Sequence, residues 1–262
     1  MKYPKIQGSV ASLCCLLLIC FAWPSTLKAQ DSSHERNWHF LTELYLMFPY
    51  LDGEIGVDNS LTVPIDASPG DIFSKLKLAG MLYLEAGTDK WAITSDLVYM
   101  NLNQEVTESI LLHSGTVGVK QLVWEVAGLY QVLPFLEVGA GGRLNNLQAE
   151  IDVRRNVFPA GTEEYYETAS DTWLDPILIT RFSTDIKDKW LFQFRGDLGG
   201  FGLGSDFTWQ LQACVGYRFS EVFQFTAGYR ALSTDYQKGT DSNLFVFNVK
   251  EFGPVIRFGF NF

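Results

Sequence analysis

Along 208–219 the residues Trp209, Leu211, Ala213, Val215, Tyr217 and Phe219 alternate with Thr208, Gln210, Gln212, Cys214, Gly216 and Arg218, leaving one face wholly apolar. A period of two is the mark of a strand that separates two unlike environments. It recurs over 223–231, where Phe223, Phe225, Ala227, Tyr229 and Ala231 oppose Gln224, Thr226, Gly228 and Arg230. Over 192–198, Phe192, Phe194 and Leu198 oppose Gln193, Arg195 and Asp197. The last stretch sets Phe252, Pro254, Ile256, Phe258, Phe260 and Phe262 against Arg257 and Asn261. Alternation also suits a soluble sandwich, whose outer face meets water. Aromatic residues at the strand ends decide between the two. Trp38, Trp91, Trp190, Trp209, Phe219, Tyr229 and Phe262 stand where the interfacial girdles of an outer-membrane barrel would be.

Tight turns at 87–90, 133–134, 185–188 and 220–221 divide the chain into strands near 38–50, 76–86, 91–104, 114–132, 135–152, 171–184, 190–203, 207–219, 223–236 and 243–262. The expected fold is all-β: an antiparallel transmembrane β-barrel of about 10 strands, with both termini in the periplasm. Eight and twelve stay open, because 51–75 has room for a further hairpin. Within that segment, 69–75 reads as a short helical turn. Pro176 and Pro254 fall inside strands, where a missing N–H predicts bulges or rim positions.

Upstream, Lys2 and Lys5 precede an apolar run from Val10 to Trp23, and Ala29 offers a cleavage point. Residues 1–29 are therefore expected to be a signal peptide, 30–37 a short periplasmic tail, and 38–262 the barrel in the cell outer membrane. Three of the four cysteines leave with the leader, so only Cys214 remains and no internal disulfide forms. Lys2, Lys5 and Lys28 leave as well, making the remainder more acidic than the −10 of the full chain. Nucleic acid is excluded as a partner by that charge. The expected partners are outer-membrane lipid, lipopolysaccharide and the barrel-assembly machinery, the last reading Phe258, Phe260 and Phe262 as a C-terminal assembly signal. The expected state is a monomer.

The stretch Asp175-Pro176 with Arg181, the run Arg195-Gly196-Asp197-Leu198-Gly199-Gly200-Phe201-Gly202-Leu203-Gly204-Ser205-Asp206-Phe207-Thr208-Trp209, and the pairs Tyr217-Arg218 and Tyr229-Arg230 resemble a family of uncharacterised Gram-negative outer-membrane proteins, small porin-like barrels of the OmpA type. Leu51-Asp52-Gly53 and 96–100 extend the likeness over most of the chain. It implies location and architecture and carries no assigned activity.

The inward parity places Glu43, Lys77, Glu85, Asp96, Glu137, Arg143, Asp175, Arg181, Arg195, Asp197, Arg218, Arg230, Glu251 and Arg257 in the lumen. In a barrel this narrow, charges of both signs should pair across the interior as a plug. The expected function is structural, or a narrow channel for small solutes. The alternative is surface binding or adhesion. That role would fall to the acidic residues Asp52, Glu54, Asp58, Glu150, Asp152, Glu163, Glu164, Glu167 and Asp171, with Arg154, Arg155, Phe158, Tyr165 and Tyr166. Catalysis lacks a basis: His113 and Ser114 are neighbours on a strand and point to opposite faces, while His34 and His39 lie at the periplasmic start. No cofactor is expected, and no metal-ligand spacing is present. The glycines permit close packing and bending. They are not followed by the lysine and helix that a phosphate loop requires.

Overall fold

A computed structural model describes residues 38–57, 62–105, 112–156, 162–240 and 244–262. The leader and the tail fall outside these residues, as do Asp58 and Phe158. The described elements are β1 (His39–Met47), β2 (Tyr50–Val57), β3 (Thr62–Ala67), α1 (Pro69–Ser74), β4 (Leu76–Gly87), β5 (Trp91–Glu105), β6 (Leu112–Leu133), β7 (Leu136–Asn156), β8 (Thr162–Ile186), β9 (Trp190–Gly199), β10 (Phe207–Arg218), β11 (Phe223–Lys238) and β12 (Phe245–Asn261).

All neighbouring pairs are antiparallel, and β12 pairs back on β1 to close the wall. Closure involves ten columns. β1 and β2 run against one continuous stretch of β12, with Met47 opposite Val255 and Tyr50 opposite Phe252. At Phe48-Pro49 the register continues but the bonding is one-sided: Phe48 donates to the Pro254 carbonyl at 2.9 Å, and Pro254 has no N–H to return. The hairpin left open within 51–75 is thus β2 with β3, an outward extension of the first column pair. α1 follows β3 because Ser68 caps it: its Oγ accepts from the Asp71 N–H, and the Asp71 carboxylate accepts from the Ser68 N–H.

Registry fixes the girth. Stepping across paired residues from Leu41 through Glu85, Thr94, Ala127, Gly141, Ile177, Gly199, Thr208, Thr234 and Val249 arrives at Gly53, twelve residues further along the same column. Ten columns with this stagger imply a strand tilt of about 40° and a wall radius of about 10 Å. Side chains as long as arginine span most of such a radius, so those from facing strands meet and the interior is a core.

Faces follow the alternation. Leu44, Leu46, Leu84, Trp124, Val126, Leu174, Leu178, Phe194, Leu198, Leu211 and Val215 are exposed on the outside. Inside, Arg143, Asp175, Thr208 and Gln210 have no accessible surface. This inversion of the usual soluble pattern is what a transmembrane barrel requires. No described helix is long and apolar enough to cross a membrane.

Two details differ from the sequence reading. β9 ends at Gly199 rather than 203, since Gly200, Phe201 and Gly202 take φ of +82°, +50° and +73° and turn the chain. Pro176 and Pro254 leave the register unbroken, while the irregularities fall between Leu76 and Leu78, Leu112 and Ser114, and Gln131 and Leu133.

Candidate functional site

The lumen is organised in layers, each assembled by strands that are not neighbours. At the end carrying the short turns, Arg181 of β8 forks between Glu85 of β4 and Glu137 of β7, its Nε donating to Glu137 at 2.5 Å. Arg181 also donates to the Tyr83 hydroxyl at 3.0 Å, and Tyr83 in turn donates to Glu85. Above this layer, Arg257 of β12 meets Glu43 of β1 at 2.7 Å and donates to Gln212 at 3.0 Å. Its guanidinium lies 4.6 Å from the centre of the Tyr45 ring, a cation–π contact.

Arg230 of β11 binds Asp96 of β5 at 3.3 Å and Gln210 at 2.8 Å, with the Tyr45 hydroxyl shared between Arg230 and Asp96. Next comes a closed ring of four ions. Arg143 of β7 contacts Glu125 of β6 at 2.9 Å and Asp197 of β9 at 2.8 Å, and Arg195 of β9 contacts the same two carboxylates from the other side. Alternating signs around the ring let each charge meet two opposite ones. That arrangement offsets the several kcal/mol it costs to strip an ion of water.

Asp175 faces Arg143 across the ladder but makes no ion pair among the described residues. Neutral donors hold it instead: the Ser205 N–H at 2.5 Å, the Ser205 hydroxyl at 2.8 Å, Asn145 at 2.9 Å and the Trp173 indole at 3.2 Å. The glycine-rich turn after β9 is thereby folded back onto the wall, and Gly204 is required where a Cβ would lie 2.4 Å from the Leu174 carbonyl. The layer beyond is apolar. Trp173 stacks on Tyr236 at 4.0 Å and leans on Phe247 at 5.8 Å, while Leu147 and Val249 complete a buried cluster across the mouth.

The open space lies at the opposite end. A cavity of about 370 Å³ is lined by turn residues Thr88, Asp89 and Pro134 at its mouth and by Glu43, Arg181 and Arg257 at its floor. A void of about 10 Å³, roughly the room one water needs, lies among Arg181, Arg195, Gln212 and Arg257.

Glu43, Asp96, Arg143, Asp175, Arg181, Arg195, Asp197, Arg230 and Arg257 are buried inside, and Glu85 and Glu137 line the cavity. Arg218 lines the same cavity at its rim, at the foot of β10, half-exposed and bonded to Asp185 at 3.2 Å. Lys77, placed in the lumen by parity, is exposed instead, because the register shift between Leu76 and Leu78 breaks the alternation there; Glu251 accepts a bond from Gln121 at 2.8 Å. Sequence reasoning missed Glu125, Tyr45 and Tyr83. Glu125 shares its face with Val123, Ala127 and Leu129, so β6 shows no polar parity to read. Among the described residues, no group of histidine, cysteine, aspartate and glutamate could hold a metal ion.

No family model matches the chain, and no curated protein matches it in sequence. Solved structures do. The outer membrane protease OmpT of Escherichia coli superposes with a TM-score of 0.50 at 6% identity, covering 89% of this chain and 99% of that one. Ail, the attachment invasion locus protein of Yersinia pestis, gives 0.36 at 8% identity over 86% and 98%. The CymD monoaromatic hydrocarbon channel gives 0.37 at 12% identity over 87% and 88%. Identities this low show the fold alone. The sequence family suggested by the glycine-rich stretch is not matched, and the supported class is the broader one of outer-membrane β-barrels.

Proposed function

We propose that this chain is a monomeric outer-membrane protein whose barrel is closed at rest, a structural element with a solute path only when its lumen rearranges. In this reading the short turns face the periplasm and the 370 Å³ cavity is a periplasmic vestibule. The observation that carries it is the ring of Arg143, Glu125, Arg195 and Asp197, which spans the lumen beneath the Trp173 cluster. Phe258, Phe260 and Phe262 would serve recognition by the barrel-assembly machinery, and outer-membrane lipid and lipopolysaccharide would surround the wall.

Conductance of the refolded protein in a planar bilayer tests the proposal. A silent bilayer is expected, and discrete steps from the wild-type protein would overturn the closed state. A second reading, surface binding, is favoured by strand length: β6, β7 and β8 run 22, 21 and 25 residues. A tilted strand crosses a bilayer in about 9–11. The excess would project as a hydrogen-bonded blade beyond the membrane. Shortening the β7–β8 hairpin should then abolish adhesion while leaving heat resistance intact.

A further inference from the structure

The wall of the barrel is interrupted in its first column pair. β1 and β4 pair only as far as Leu44 opposite Leu82, although β1 continues to Met47 and β4 begins at Leu76. α1 stands in this interval, where Phe73 packs on Phe48 at 5.3 Å and Ile72 is buried. Nearby, Tyr50 stacks on Phe252 at 5.8 Å. Leu46, Tyr50, Phe73 and Leu78 are exposed on the outward side, forming an apolar and aromatic step.

Two cations border this step. Lys75 closes α1, and Lys77 is the odd residue in the register shift between Leu76 and Leu78. Both are exposed, and neither pairs with a carboxylate among the described residues. Lys120 and Lys238, by contrast, are held by Glu150 and Asp171 at 2.7 and 2.8 Å. Asp71, on the same helix as Lys75, is held by the Ser68 hydroxyl at 2.6 Å, and Asp52 stands between Lys250 and Asp66 in the ladder.

From this arrangement we infer a docking site for a phosphorylated lipid of the outer leaflet. Lys75 and Lys77 contact its phosphate, and its acyl chains lie on Phe73, Leu46 and Leu78. The inference rests on the outer-membrane reading above. Charge complementarity selects a phosphate, and the apolar step selects one that carries hydrocarbon, since a free phosphate gains nothing from Phe73 or Leu78.

Native mass spectrometry of the full refolded protein in detergent, titrated with diphosphorylated lipid A, tests it. Retention is expected, weakened about ten-fold in Lys75→Gln/Lys77→Gln and also reduced in Phe73→Ala. Lys187→Gln/Lys189→Gln, at the opposite end, should bind as the wild type does. Equal affinity of the Lys75/Lys77 double variant would overturn the site, as would equal binding of dephosphorylated lipid or displacement by millimolar inorganic phosphate. Insertion into phospholipid vesicles is scored alongside: a protein that inserts but shows no preference for lipid A refutes the site, whereas one that never inserts refutes the membrane reading beneath it.

Discussion

Arg143 has no exposed surface, and its guanidinium meets Glu125 at 2.9 Å and Asp197 at 2.8 Å. At an effective dielectric of about 20, each contact is worth about 6 kcal/mol before desolvation and the repulsion from Arg195 are set against it. In Arg143→Met the chain volume is largely kept, but Glu125 and Asp197 must share Arg195 alone. One negative charge is then uncompensated in a dry interior, so the loss should be about 3–5 kcal/mol. Adding Asp197→Asn removes that charge and leaves Glu125 paired with Arg195. The double variant should therefore cost about 1–3 kcal/mol less than the two single losses combined. Urea midpoints of the refolded protein in detergent, followed by tryptophan fluorescence and by heat-modified gel mobility, measure all four corners of the cycle. An unchanged midpoint for Arg143→Met, or strict additivity, would refute the claim that the ring acts as one unit.

Further outcomes follow from other layers. Trp173→Ala should lower stability by about 3–5 kcal/mol, because the ring stacked at 4.0 Å on Tyr236 is removed. Trp173→Phe should lose about 1–3 kcal/mol, because the indole N–H that donates to Ser205 at 2.9 Å and to Asp175 at 3.2 Å disappears; urea midpoints check both. Gly204→Ala should expose the turn after β9 to chymotrypsin, since the new Cβ would lie 2.5 Å from the Asp175 carboxylate. At Gly202 no atom lies within 4 Å, so Gly202→Ala should add only backbone strain at its φ of +73° and cut far more slowly. For α1, hydrogen bonds from Ser68 hold the Asp71 carboxyl below its ordinary range. The cap's contribution is therefore full above the usual aspartate value of about 3.9 and is lost as pH falls through the lower folded value. Amide exchange at Ile72, whose N–H donates to Ser68 at 3.1 Å, should rise on that acidification and in Ser68→Ala.

How far the chain could be read beforehand depended on where alternation survives. β9 to β12 carry polar residues on one parity and apolar ones on the other, so Arg195, Asp197, Arg230 and Arg257 were legible as inward residues. Where the inner face is itself apolar the signal vanishes, as around Glu125 and at the Trp173, Tyr236 and Phe247 cluster. Parity also says nothing about height along the axis. Arg218 shares the parity of Gln210 and Gln212 yet ends at the rim, beside Asp185. Which cation meets which acid was beyond reach for a further reason. Partners such as Arg143 and Asp197 sit on strands separated by β8, and the stagger that brings them level is a property of the whole closed wall.

The pairing of Leu41 with Asn261 joins the first described strand to the last. A cylinder closed by its two ends has no partial version: until β12 arrives, β1 and β11 each present a bare edge of N–H and C=O groups that hydrocarbon cannot satisfy. Five buried arginines would meanwhile face a lumen that is not yet enclosed. Wall and interior must therefore mature together. β12, paired with β11 on one side and with β1 and β2 on the other, is the clasp of the hoop.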